Sequence, residues 1–483
     1  MRQVLIIHGW SDSSRSFGPL VEFLRANGYQ AVPLWLGDYI SLDDDVRVVD
    51  VAKRLEAVVR DKLAGGELVQ PFDVIVHSTG GLVAREWISG YYGGDIAGCP
   101  AKRLIMLAPA NFGSRLASLG KSMVGRIVKG WNNWFHTGTE MLNALELASP
   151  YQWRLAEQDL FVPAGRSSAP AIYGDEGIYA FTIVGTHPYA SLLRQMVNED
   201  GADGTVRACA ANLNVRGVTI DFAADEQQPL MTPWKLRHKT DIPLAVLPDR
   251  THGSVIDPQK NDIKSPAAYE QRLGQLILQA LGCDTPADYR AIAGEWSAIT
   301  EATASLSSDQ TRRDDVLGKD SDPKWFHQYM QVNVRVMDDH GADVGDYFLE
   351  FSGPEEERGD RSSLYFHTEV LEHVHVNQLN SAYRCLYVDH TDLLGNYYDA
   401  IRGNVTRALF MSLSAAPPGG NVSYFESTRD GAKGTVPLHF EEEKTAGPAA
   451  ARRINWLQPN TTHFATIVIP RTPADKVFRM KKA

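Results

Sequence analysis

Asp73-Val-Ile-Val-His-Ser-Thr-Gly-Gly-Leu-Val-Ala-Arg85 is the stretch from which the organisation of this chain can be read. A β-branched run, Val74-Ile75-Val76, stops at His77-Ser78, two glycines follow, and Leu82–Ile88 then has the composition of a helix. Strand, sharp turn and helix are therefore expected in that order. A serine on such a turn has its Oγ pushed out at the carboxyl edge of a parallel sheet, with the next backbone N–H aimed into the same space. Gly80 and Gly81 carry no Cβ, so the helix can start close against the strand. Val76 stands where Gly-x-Ser-x-Gly has its first glycine. Taken alone, the stretch also admits an ordinary turn that contains a serine.

Working outward, the order of elements on either side fits the same arrangement. Val4–Ile7 is continuously apolar, as a strand buried on both faces must be, and it ends at His8-Gly9-Trp10. Phe17–Ala26 has helical spacing, Ala31–Leu36 reads as a strand, and Asp44–Leu63 is again helical. Arg103–Leu107, Ile178–Gly185 and Ile242–Leu247 are further short buried strands, and Ser265-Pro266 and Thr285-Pro286 open two helices. Strands alternating with helices at these intervals give right-handed crossovers and a parallel sheet. The expectation is a doubly wound, mostly parallel α/β-hydrolase sheet.

Two residues complete the chemistry that Ser78 needs. In this fold the acid follows the penultimate strand and the histidine follows the last. Asp203-Gly204-Thr205-Val206 has the Asp-Gly-x-Val form and is preferred over Asp200-Gly201 and over Glu199. His252, in the loop after Ile242–Leu247, is the histidine so placed. The backbone N–H groups of Trp10 and Thr79 are assigned as the pair that would hold an oxyanion. Ser78, Asp203 and His252 are thus the candidate catalytic residues. Ester hydrolysis through an acyl-enzyme is the reaction they serve.

The 483 residues exceed one typical core, so a second domain is expected. We place the catalytic domain at 1–305 with a cap segment at about 111–160, a polar linker at 306–324, and a β-rich domain at 325–483. The last reads as an antiparallel, sandwich-like module, because Val332, Val334 and Val336 alternate with Asn333 and Arg335, and short strands recur at Tyr347–Phe351, Arg384–Asp389, Arg407–Leu413, Thr435–Phe440 and Phe464–Ile469.

A net charge of −11 argues against nucleic acid as a partner and confines any contact with anionic lipid to a local patch. One segment supplies such a patch. Arg115, Lys121, Arg126 and Lys129 occur without acidic neighbours, Leu116, Leu119, Met123 and Ile127 fall near one helical face, and Trp131, Trp134 and Phe135 follow. That composition suits either a bilayer surface or a cap helix over the protein core. Cys99, Cys209, Cys283 and Cys385 have no metal or redox spacing and are read as thiols of a reducing compartment. His373 and His375, with His367 and His390 near in sequence, lack a carboxylate or cysteine that would complete a metal set, so no metal is expected. Neither a secretory signal nor a bilayer-spanning run is read in the sequence, so a cytoplasmic or peripherally membrane-associated protein is expected.

The run Val76-His77-Ser78-Thr79-Gly80-Gly81-Leu82-Val83, with Asp203 and His252 at these intervals and a β-rich domain after them, resembles the PlaB-type bacterial phospholipases A over nearly the whole chain. Members share His-Ser-Thr-Gly-Gly with a β-branched residue in front, as Val76 is here. The resemblance implies phospholipase A and lysophospholipase A activity on phospholipid and lysophospholipid substrates, membrane association and a homotetramer. It also implies NAD(H) as a regulatory ligand at subunit contacts, with no cofactor required for catalysis and no residues here that can be matched to the nucleotide. Two other readings stay open: a soluble carboxylesterase or triacylglycerol lipase, and a non-catalytic interaction protein on a hydrolase scaffold.

Overall fold

A computed structural model describes residues 1–7, 14–34, 44–118, 138–162, 168–190, 198–259, 271–353, 360–401, 409–417, 419–425, 434–439, 457–473 and 477. The chain divides into two compact units, Met1–Asn214 with Lys235–His327, and Val215–Trp234 with Gln328–Ala483.

In chain order the strands of the first part are β1 (Arg2–Ile7), β2 (Tyr29–Leu34), β3 (Phe72–His77), β4 (Ala101–Leu107) and β5 (Tyr179–Gly185). They are followed by β6 (Arg216–Asp221) and β7 (Leu230–Pro233), which belong to the second unit, and by β8 (Leu244–Leu247). The first unit's sheet has the order β2-β1-β3-β4-β5-β8, and every pairing in it is parallel. All six residues of β3 are buried, as are all seven of β5, which is why Val74-Ile75-Val76 and Ile183-Val184 are apolar without alternation. Around them lie the helices α1 (Gly18–Ala26), α2 (Val48–Ala64), α3 (Gly80–Tyr92), α4 (Thr139–Leu145), α5 (Pro150–Asp159), α6 (Arg272–Gly282) and α7 (Pro286–Ala304). α2 buries Val48, Val51, Ala52, Leu55 and Val59, the stripe its helical spacing requires. α7 opens with a capping box: Asp288 N donates to Thr285 Oγ1 at 3.1 Å and Thr285 N to Asp288 Oδ2 at 2.9 Å. It is stitched to β8 by hydroxyls, Thr300 to the Leu244 carbonyl at 2.9 Å and Thr303 to that of Val246 at 2.7 Å.

The amino end of the sheet is closed by charge. Arg103 donates to Asp73 at 2.7 Å and to Asp284 at 2.5 Å. The Lys102 hydrogen bond and the Arg103 and Arg2 charges hold the Asp284 carboxyl down at about 2, whereas burial pushes that of Asp73 up against the pull of Arg103.

The segment 306–324 is not the open linker expected from its polar composition. It carries a helix, Gln310–Leu317, capped by Asp309, and its Leu306 and Val316 pack with Phe326 in a small satellite core of the first unit. Leu306, Val316 and Phe326, with half-buried Leu317 and Trp325 against them, are too widely spaced to stand out as a periodic run in the sequence.

The second unit contains β9 (Tyr329–Asp338), β10 (Tyr347–Ser352), β11 (Leu371–Val376), β12 (Tyr383–Asp389), β13 (Leu409–Ala415), β14 (Val422–Tyr424), β15 (Val436–His439), β16 (Thr461–Ile469) and β17 (Arg471–Pro473). Its larger sheet runs β11-β12-β9-β16-β6-β7, and the smaller, antiparallel one β10-β13-β15. Val334, Val336, Leu386, Val388, Ala465 and Ile467 of the first share one core with Leu349, Phe351, Met411 and Leu413 of the second. The antiparallel expectation needs one amendment, because β16 lies parallel to both β9 and β6. The source of β6 was also outside the expected domain bounds. Val218, Ile220 and Phe222 alternate with polar residues as a half-buried strand should, and all three enter the second unit's core although they lie between Asp203 and His252 in the chain. His373 and His375 lie on β11 with ring centroids 6.5 Å apart.

Candidate active site

β3 ends at His77, and the chain turns at Ser78 with φ of 53°, a left-handed conformation that costs a non-glycine residue about 1–3 kcal/mol. Three hydrogen bonds hold it there: Ser78 N donates to the Leu107 carbonyl at 3.1 Å, and the Ser78 carbonyl accepts from Gly81 N at 3.0 Å and Ala110 N at 3.2 Å. A Cβ on Gly81 would sit 2.7 Å from Pro109 Cβ and 3.1 Å from Asn111 Oδ1, so the helix start and the loop after β4 approach in a way only glycine permits. The loop itself is pinned from below. Arg85, on α3, donates to the Asn111 carbonyl at 3.0 Å and binds Asp159 at 2.8 and 3.0 Å, both charged groups being fully buried, while the Tyr173 hydroxyl reaches the same carboxylate at 3.2 Å.

His252 lies in the loop after β8. Its Nε2 is 3.1 Å from Ser78 Oγ and its Nδ1 is 2.9 Å from Asp203 Oδ2. Residues 174 and 49 positions apart thus meet in one line at the carboxyl end of the sheet. Asp203 is fully buried, and its other oxygen, Oδ1, accepts from Thr205 N at 3.0 Å and Val206 N at 2.8 Å. Those two donors fix the carboxylate so that Oδ2 faces the imidazole. Gly204 has φ of +91°, and a Cβ there would fall 2.5 Å from the Tyr189 ring, which gives the Asp-Gly pair its physical reason. Tyr189 is itself clamped, exchanging hydrogen bonds of 3.0 and 2.8 Å with the Asn198 side chain.

The competing acids are placed elsewhere. Glu199 faces Arg115 at 3.4 Å and Arg207 at 3.5 Å, and His252 pairs with Asp203 rather than with Asp200 or Glu199. Thr79, one of the two residues assigned as oxyanion donors, is buried and stands at the N-cap of α3 directly after Ser78. Trp10, the second, lies outside the described residues, as do Lys121, Arg126 and Lys129 of the basic segment. None of the four cysteines is in a disulfide. Burial pushes the Cys99 and Cys209 thiols up to about 12 and that of Cys283 to about 11, so they offer no thiolate to compete with the serine.

A model of the alpha/beta hydrolase family matches residues 4–262. The chain belongs to that family. The alpha/beta hydrolase match covers Ser78, Asp203 and His252 together and ends before the second unit's long C-terminal part. Over its full length the chain shares the fold of phospholipase PlaB from Legionella pneumophila, with a TM-score of 0.74, 24% identity, and coverage of 100% of this chain and 96% of that one. PlaB has also been solved in complex with thio-NAD, and this chain matches that structure to the same extent. Lipase BlEst2 from Bacillus licheniformis aligns with 44% of the chain at a TM-score of 0.32 and 18% identity. No curated protein matches.

Sequence reasoning passed over three features of this hydrolase site. Asp159 as the partner of Arg85 has no local signature, since the two lie 74 residues apart, and Asn198 as that of Tyr189 has none because a loop pairing nine residues apart follows no helical or strand period. His77 did have one, standing in the motif itself beside Ser78.

Proposed function

We propose that the chain is a serine hydrolase that cleaves fatty-acyl esters of phospholipids and lysophospholipids. The observation that carries the reading is the hydrogen-bonded line from Ser78 through His252 to Asp203, with distances of 3.1 and 2.9 Å. A serine hydroxyl is a weak nucleophile at neutral pH, so Ser78 Oγ attacks the ester carbonyl as His252 Nε2 takes its proton. Asp203 keeps the Nδ1–H tautomer and stabilises the imidazolium. The negative charge that develops on the carbonyl oxygen is met by the N–H groups of Thr79 and Trp10. Losing one such donor typically costs about 3–4 kcal/mol. The tetrahedral adduct collapses, the C–O bond to the glycerol oxygen breaks, and the imidazolium proton passes to that leaving oxygen. Water, activated by the same imidazole, then releases the fatty acid and restores Ser78.

The phospholipid assignment is supported by the whole-length likeness to PlaB and by the basic, aromatic-flanked segment around Lys121–Phe135. Among the described residues no helix is long and apolar enough to cross a membrane, so lipid would be met at its surface. The homotetramer and the NAD(H) ligand rest on the likeness alone. The sequence that follows β1, His8-Gly9-Trp10-Ser11, has a single glycine and no Gly-x-Gly-x-x-Gly, so it lacks the composition of a pyrophosphate cradle, and ester hydrolysis has no redox step that would call on a nicotinamide.

The test is product analysis with a phosphatidylcholine carrying two different acyl chains, alongside lysophosphatidylcholine, a triacylglycerol and a short-chain nitrophenyl ester. Release of fatty acid from the first two, lost in Ser78→Ala, is expected. Cleavage of the nitrophenyl ester alone would make the protein a carboxylesterase. Absence of a fluorophosphonate adduct on Ser78 would favour the non-catalytic scaffold.

A further inference from the structure

His77 is a buried imidazole beside the nucleophile, and the triad chemistry gives it nothing to do. Its Nε2 lies 3.0 Å from the backbone carbonyl of His252, and it is 2% exposed. A carbonyl can only accept, so Nε2 must carry the proton and donate it. On the other side of the same residue, His252 N donates to the Asp203 carbonyl at 2.8 Å. The backbone of the catalytic histidine is therefore held at both ends, by the residue that pairs its ring and by the residue that precedes its nucleophile.

We propose that His77 is a positioning residue that sets the distance from His252 Nε2 to Ser78 Oγ, an inference that rests on the serine-hydrolase reading. His77 closes β3, where it pairs in register with Leu107, and Ser78 follows with its backbone fixed by three hydrogen bonds. The dipeptide thus presents two atoms to the same loop: Oγ to the imidazole edge, and Nε2–H to the carbonyl behind it. The loop is also held on the β5 side, where His187 N donates to the Arg250 carbonyl at 3.1 Å, and within itself, with Ser254 N and Val255 N donating to the Thr251 carbonyl and Thr251 N to Ser254 Oγ. Those bonds fix the turn's own shape and its place beside β5, and a shift relative to β3 would stretch the bond from His77. The His77 hydrogen bond opposes that shift. The two rings also pack, with centroids 4.6 Å apart and planes at 43°, and Phe17 abuts His77 edge-on at 5.9 Å, so the imidazole of His252 has a wall on one side. Misplacement of a reacting group by about 1 Å can cost roughly 100-fold in rate, which is the range a lost tether would reach.

The test compares His77→Phe, His77→Asn and His77→Gln. Phenylalanine keeps the ring without the donor, asparagine has an amide too short for the carbonyl, and glutamine places an N–H at the reach of Nε2. For the Phe and Asn variants kcat should fall by about 10- to 100-fold with KM within about twofold, and fluorophosphonate labelling of Ser78 should slow in parallel. The Gln variant should recover to within a few-fold of the wild type. A Phe or Asn variant at wild-type kcat, or a Gln variant as slow as Asn, would overturn the proposal. Should Phe fail to fold, the Asn and Gln pair decides. Ser78→Ala is run beside them: if it hydrolyses ester at the wild-type rate, the triad reading fails, whereas an inactive Ser78→Ala with fast His77 variants sinks only the positioning role.

Discussion

Replacing Asp203 by asparagine changes one atom of the site, and the surrounding hydrogen bonds dictate how. Thr205 N and Val206 N, at 3.0 and 2.8 Å, both donate to Oδ1. An asparagine must keep its carbonyl oxygen toward them, because the flipped amide would set N–H against N–H. Its NH2 then points at His252 Nδ1, 2.9 Å away in the native pair. Nδ1 becomes an acceptor, the ring proton moves to Nε2, and that proton faces Ser78 Oγ at 3.1 Å, where a lone pair is needed. The base is lost although no atom has moved. In a serine triad this tautomer reversal costs roughly 10⁴ in kcat, or about 5.5 kcal/mol at about 1.4 kcal/mol per tenfold. Nitrophenyl ester turnover and fluorophosphonate labelling measure it directly, and the melting temperature, expected to change little, guards against misfolding. An Asp203→Asn enzyme within tenfold of the wild type would refute the reasoning.

Other perturbations follow from the same geometry. Asp159→Asn leaves the Arg85 guanidinium fully buried without its counter-charge and should destabilise the protein by about 3–5 kcal/mol in urea unfolding. Gly81→Ala forces a Cβ to within 2.7 Å of Pro109 and should cost about 1–3 kcal/mol, together with kcat, as the turn opens. The Asp284 carboxyl is held at about 2, below its ordinary 3.8, so its contribution is present above pH 4 and lost as pH falls toward 2. The stability difference between the wild type and Asp284→Asn should therefore shrink over that window, as thermal unfolding at graded pH would show. Neutralising Lys121, Arg126 and Lys129, while keeping Arg115 in its pairing with Glu199, should weaken binding to anionic liposomes in a salt-sensitive way.

Periodicity and turn chemistry in the sequence determined most of the first unit. Runs such as Val4–Ile7 and Val74–Val76 are too apolar to face water on either side, so a sheet covered on both faces follows from them directly. Thr285-Pro286 with Asp288 likewise announced a helix, and it is there with its capping box. The motif around Ser78, the Asp-Gly-x-Val form at 203 and the histidine after the last strand singled out three residues that tertiary structure then joined. What the tertiary structure alone decided are the pairings whose partners carry no local mark. β6 joins the second unit because its apolar face matches a core built a hundred residues later, and a strand's pattern says which side is buried without saying against what. Asp159 finds Arg85, and the His77 donor finds the His252 carbonyl, only when distant segments fold to within 3 Å. A hydrogen bond depends on position in space, and sequence spacing encodes that position only inside a single strand, turn or helix.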